Sequence, residues 1–312
     1  MVTQAIGNQS ENKLALIAAQ HSSWYAFWVV LRCFGGFTTG YFAALLLYSI
    51  NDYLVLLAPI LYGWGGYRLQ FILHDCTHNS LFKSHRINRT VGDLAGVLVG
   101  VNFARYRFTH IWHHRRNGQI SDPQFFDYLG NYSIEGADRL SRTKFLWFVL
   151  APLFGLRLFG YLKREVSMTS IENRPAPRVP ISWYLKFVTA QLVILGGSLL
   201  VTRNLFVPIS LITGLCTVSL FLARLRALAE HQKIDTYEPD FTRSHEFNIF
   251  DFIILYDANF NFHLEHHLYP YTQSRNLRFI SELSSGTTPS LPPPIGQSMF
   301  KTIFSNFKSL RW

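Results

Sequence analysis

Four long stretches nearly free of charge, Trp24 to Ile50, Tyr53 to Leu73, Ser182 to Val201 and Leu205 to Ala223, restrict this 312-residue chain more than any other feature. As helices, each is long enough to cross roughly 30 Å of hydrocarbon. An apolar fraction of 49% would suit a large soluble domain as well as a small membrane protein, so the distribution decides. The chain reads as an all-α integral membrane protein with four transmembrane helices, spanning residues 24–50, 53–73, 182–201 and 205–223. Residues 74–181 and 224–312 then form a helical cap within one domain covering 1–312. Arg32, Arg68 and Lys186 intrude near span ends, where a long stem lets the charged head reach the interface.

Two weaker apolar stretches are expected to lie in the interface. Val91 to Phe103 is too short to span and reads as an interfacial or re-entrant helix. Phe145 to Leu162 contains Pro152 and Arg157 and has Arg142, Lys144, Lys163 and Arg164 as positive flanks at both ends. The connection at Asn51 and Asp52 carries no positive charge, and that from Thr202 to Asn204 carries only Arg203, whereas Lys83 to Arg116 is rich in Lys and Arg. The positive-inside rule therefore places that stretch and both termini in the cytoplasm. The formal charge of +10 is spread over loops beside apolar segments and forms no basic stripe on a soluble face, which argues against nucleic acid as a partner.

No secretory leader is expected, because a polar stretch, Asn8 to Lys13, precedes the first apolar run and no small-residue cleavage site follows it. Cys33, Cys76 and Cys216 share no CxxC spacing, so neither a disulfide framework nor a thiolate site is expected. Ser284 to Gln297 reads as a linker. Beyond it, Phe300, Ile303, Phe304 and Phe307 form one stripe of a helix suited to the membrane surface.

The chemistry sits in the histidines. Of twelve, nine fall into four groups: His74 and His78 in HDCTH, His110, His113 and His114 in HIWHH, His231 after Glu230, and His263, His266 and His267 in HLEHH. Residues three or four apart on a helix share a face, so each group can aim several imidazoles at one point. A donor set of neutral imidazoles suits Fe, Zn, Cu or Ni better than Mg or Ca. One ion cannot use nine, which makes a binuclear site the economical reading. An even number of crossings separates every group, so four spans put all nine on one face. His21, His85 and His245 read as structural.

The order HDCTH, HIWHH, HLEHH around two pairs of spans resembles the membrane fatty acid desaturase superfamily over roughly Tyr53 to Pro270. RALAEH at Arg226 to His231 and NFHLEHHLYP at Asn261 to Pro270 are similar to bacterial acyl desaturases in particular. The resemblance implies two Fe2+ ions held by His74, His78, His110, His113, His114, His231, His263, His266 and His267. Some relatives carry an asparagine one turn before the isolated histidine; Ala227 stands there in this chain, with Asn259 as a candidate substitute. Asp75, Asp122, Glu230 and Glu265 adjoin the groups and are candidates to orient the rings by accepting their second N–H.

The resemblance further implies an O2-dependent oxidoreductase that introduces a double bond into a fatty acyl chain linked to lipid, CoA or a carrier. The alternative is a hydroxylase or ketolase acting on an alkyl, sphingoid or carotenoid substrate, since the outcome turns on substrate placement. A metal transporter is a remote rival, because the middles of the spans lack histidine and carboxylate. The chain has no cysteine set for an iron–sulfur cluster and no fused cytochrome motif, which implies an external electron donor of ferredoxin or cytochrome type with its reductase.

Overall fold

Twenty-eight consecutive residues with Arg32 as their one charge form helix α1, Ser23–Ile50, capped by Ser22, whose hydroxyl accepts the Tyr25 N–H at 3.2 Å. The computed structural model describes residues 16–117, 119, 121–124, 141–231, 242–257, 259–284 and 297–309. Most of the expected linker from Ser284 to Gln297 lies outside them. α1 buries the stripe Ala26, Val29, Cys33, Phe37, Gly40 and Ala44, and turns Trp24, Phe27, Leu31, Phe42 and Leu46 outward.

A short 3-10 segment, Asp52–Leu57, leads into α2, Ala58–Thr77, with Pro59 in its first turn. The second apolar stretch is thus a helix that starts and ends several residues later than its composition suggests. α2 is the central helix of the fold, buried along nearly all of its length from Tyr62 onward. Among the described residues, three helices are long and apolar enough to cross a membrane: Ser23–Ile50, Ile181–Thr202 and Phe206–His231. α2 does not pass that test, and its position explains why. Neighbouring helices surround it, so Arg68, Gln70, His74 and Asp75 meet protein and never need to be apolar.

After α2 come α3, His85–Val99, and α4, Phe103–Arg116. Gly100, at φ 75°, ends α3, and Asn102 caps α4 by accepting the Arg105 N–H at 3.1 Å. Helices α5, Arg142–Leu150, and α6, Leu156–Ser167, are joined through the 3-10 turn Ala151–Phe154 and bend by 83° at Gly155. Arms that short, at nearly a right angle, cannot both run along a membrane normal. A two-residue hairpin, β1 Ser170–Ile171 with β2 Arg174–Pro175, precedes α7, Ile181–Thr202, which carries a π turn at Leu192–Gly196. α8, Phe206–Cys216, and α9, Val218–His231, continue one another past Thr217. The cap closes with α10, Ile249–Ile254, α11, His263–Leu268, α12, Leu277–Ser284, and α13, Met299–Ser309.

The terminal helix α13 differs from its sequence reading. Met299, Thr302, Ile303 and Asn306 are buried against the protein, and Phe304 is the member of the expected stripe that stays exposed. Its start is fixed by Asp251, which accepts the Met299 N–H at 2.6 Å. The apolar stripe thus meets the bundle, and only its edge is left for lipid.

The span ends also differ. Arg32 and Arg68 do not reach for the interface: both guanidinium groups turn onto buried Asp257, Arg32 at 2.5 Å. Trp64 and Tyr67, on the same face of α2 as Arg68, donate to the carbonyls of Ile253 and Leu255. One face of α2 therefore grips the strand of chain that leads to His263.

Close helix crossings make this possible. A Cβ on Gly63 would stand 2.4 Å from the Gly214 carbonyl oxygen, and one on Gly214 would stand 2.5 Å from that of Pro59. Gly63→Ala is therefore expected to destabilise the protein by about 1–3 kcal/mol through overpacking against backbone that cannot rotate away. Gly160→Ala, where a Cβ meets nothing within 4 Å, serves as the matched control in a detergent thermal melt. Equal midpoints for the two variants would refute the crossing argument.

Candidate metal centre

Each histidine group occupies a helix end or a short helix. α2 places His74 in its last turn and His78 just past it. α4 carries His110, His113 and His114, α9 ends on His231, and α11 opens on His263. The ends are tied together by long-range bonds. Gln273 Nε2 donates to the carbonyls of Leu81 at 2.9 Å and Ser22 at 3.0 Å, joining the chain after α11 to the loop after α2 and to the start of α1. Ser244 bridges to Phe262, and its hydroxyl donates to Glu265 and accepts the Leu264 N–H at 3.0 Å.

All nine histidines come together, and they divide. His74, His78, His110, His114 and His266 form one set whose ring nitrogens lie within 4.8 Å of one another. His113, His231 and His267 form a second, and Glu230, His231 and His263 a third that shares His231 with it. The result is a five-histidine site beside one of four histidines and a carboxylate. The two touch where the rings of His114 and His267 stack at 4.0 Å. Helical geometry explains the division: residues four apart stay together, as in His74 with His78, His110 with His114 and His263 with His267. Adjacent residues point about 100° apart, so His113 and His114 part company, as do His266 and His267.

The donor geometry fits metal ions. His114 Nε2 lies 3.2 Å from both His110 Nε2 and His266 Nε2, and His231 Nε2 lies 3.0 Å from His263 Nε2. Two nitrogens bound at right angles to one ion at about 2.1 Å would be about 3.0 Å apart. Seven of the nine rings are 5% exposed or less, with His114 and His267 half-buried. The Nε2 atoms of His74, His78 and His267 are buried without a hydrogen-bond partner. Buried polar atoms are seldom left so, and convergent ones least of all.

Burial, reinforced by neighbouring imidazoles, pushes His110, His114, His263, His266 and His267 well below the usual histidine range. His78 is pushed down to about 3 by burial, with Arg107 and His113 adding to it. Those six rings are thus neutral, as a ligand must be.

The carboxylates differ in role. His113 Nδ1–H donates to Asp122 Oδ2 at 2.8 Å, which fixes the tautomer and leaves Nε2 for the site. Asp75 Oδ1 lies 3.5 Å from His74 Nδ1, and its other oxygen accepts the Ser274 hydroxyl at 3.3 Å. Glu230 accepts from Arg226 Nε at 2.7 Å through Oε1, while Oε2 lies 3.5 Å from His263 Nε2. Glu265 turns to Ser244 and secures the start of α11. Asn259, in a left-handed turn at φ 47°, gives its side-chain N–H to the Arg275 carbonyl at 3.1 Å.

Sequence reasoning missed Arg226 and Asp257. Arg226 was findable, since it stands four residues before Glu230 on the same helical face. Asp257 carries no local signal, because its partners lie on α1 and α2.

Two comparisons bear on this geometry. A family model described as fatty acid desaturase matches residues 51–297. A protein of Bacillus subtilis (strain 168) named fatty acid desaturase is 28% identical over 134 residues, covering 40% of this chain and 38% of that protein. The chain thus spans about two fifths of the length of that curated relative.

Proposed function

From the premise that this chain belongs to the fatty acid desaturase family, we propose that it is an O2-dependent di-iron desaturase of fatty acyl chains. The observation that carries the reading is the convergence of nine imidazoles, seven of them buried, into two adjoining sets at one end of a bundle of apolar helices. Iron held there by His74, His78, His110, His114 and His266 on one side, and by His113, His231, His263 and His267 on the other, would supply the O2-reducing chemistry. Two hydrogens leave adjacent carbons of the acyl chain, two electrons and two protons come from outside, and O2 ends as two waters. The electrons come from a separate donor of ferredoxin or cytochrome type.

The protein's own part is to position and to exclude water. Asp122 fixes the His113 ring, and α2 holds His74 rigid while gripping the chain before His263. The face of Tyr106 stacks on His110 at 5.5 Å, and Phe260 packs edge-on against His74 at 4.8 Å, so aromatic surface covers the flank of the five-histidine set. Lys83, Arg86 and Arg89 are exposed just beyond His78, which supports a cytoplasmic site by the positive-inside rule.

Detergent-purified protein is expected to hold about two irons per chain. Cells expressing it with a reducing system are expected to accumulate an acyl product lighter by two hydrogens. An oxygen-bearing product would replace the desaturase reading with a hydroxylase or ketolase, and a protein without iron and without a lipid product would overturn both.

A further inference from the structure

The two sets are unequal in donors: one has five imidazoles, the other four, and Glu230 stands where a fifth donor would stand. Resting on the di-iron reading above, we propose that Glu230 supplies a carboxylate oxygen to the four-histidine ion, and that Arg226 is the positioning residue that fixes which oxygen is offered.

The carboxylate is split between two tasks. Oε1 is held by Arg226 Nε at 2.7 Å, while Oε2 faces His263 Nε2 at 3.5 Å. That same nitrogen lies 3.0 Å from His231 Nε2, so the three donor atoms enclose one point. A carboxylate that merely oriented a ring would sit on the nitrogen remote from the ion, as Asp122 does on His113 Nδ1. Glu230 instead approaches the nitrogen that faces the other donors.

Arg226 is well placed to hold it. Its guanidinium lies 4.8 Å from the Phe71 ring centroid and 5.0 Å from that of Phe260, and both Arg226 and Glu230 are buried. Clamped by two rings, the arginine cannot follow the carboxylate if it rotates. A carboxylate on one ion and none on the other would make the two ions inequivalent.

The test uses the full-length protein in detergent, loaded with 57Fe, comparing wild type with Glu230→Gln, Glu230→Asp and Arg226→Lys. Iron content and Mössbauer spectra are read alongside size exclusion. Wild type is expected to give two quadrupole doublets of equal area. Glu230→Gln, nearly isosteric and still offering Arg226 an oxygen, is expected to fall from about two irons per chain to about one, with one doublet lost. Glu230→Asp restores part of the second ion, and Arg226→Lys keeps both irons but shifts that same doublet. Two irons with unchanged spectra in Glu230→Gln would overturn the proposal and leave the desaturase reading intact. Wild type without iron would remove the reading on which it rests. If Glu230→Gln does not fold, Glu230→Asp decides: loss of iron or a shift confined to one doublet upholds the proposal, and wild-type iron with both doublets unchanged overturns it.

Discussion

His267→Ala is expected to empty one of the two sites and abolish product formation. The imidazole is one of four in its set, its Nε2 is buried without a hydrogen-bond partner, and its ring stacks on His114 of the other set at 4.0 Å. Losing a residue that only orients a ligand costs about 10- to 100-fold in metal affinity. Losing the ligand itself should exceed that, and the stacked His114 loses its support as well. Iron content is expected to drop to about one per chain or below, with turnover reduced by more than about 100-fold. His85→Ala, at an exposed position at the start of α3, should retain wild-type iron and product. Full iron occupancy in the His267 variant, or equal loss in the His85 variant, would contradict the assignment.

The second large effect lies away from the histidines. Asp257→Ala would leave Arg68, whose side chain is 8% exposed, without its anion among apolar helices, and would leave Arg32 partly so. Breaking a buried ion pair from one side costs about 3–5 kcal/mol, because the remaining charge stays desolvated. Arg32, at 38% exposure, adds less, since water screens it. A fall of the unfolding midpoint on the order of 10 °C is expected in a detergent melt. Coupling to the metal centre follows, because Asp257 anchors the chain leading into His263, so iron content should fall alongside stability. The double variant Asp257→Asn with Arg68→Met should recover part of the loss by removing the stranded charge. A double variant no better than Asp257→Ala would sink the explanation.

Much of this molecule was legible beforehand. The apolar stretches around α1, α7 and the continuous pair α8 and α9 announced themselves by length, since a segment facing lipid has to be apolar along its whole course. The histidine groups were legible for a related reason: metal donors have to be particular side chains, and helical spacing is visible in a string of letters. Composition places the ends of α2 several residues too early, because its burial comes from surrounding helices, and a helix enclosed by protein tolerates arginine and aspartate that a lipid-facing one would not. The tail stripe of α13 suits a membrane surface by sequence and meets protein in the fold, because a sequence shows that a face is apolar without showing what covers it.

Sequence alone determined the donor chemistry, the four helix ends that carry it and the apolar lengths that hold them in a bilayer. Only tertiary structure decided that neighbouring histidines serve different sets, that Glu230 faces the shorter one and that Asp257 neutralises two distant arginines. Spacing along one helix fixes directions about that helix axis and nothing more. Whether two directions meet at a point depends on how separate helices cross, and that is set by backbone contacts such as Gly63 with Gly214, residues more than a hundred positions apart.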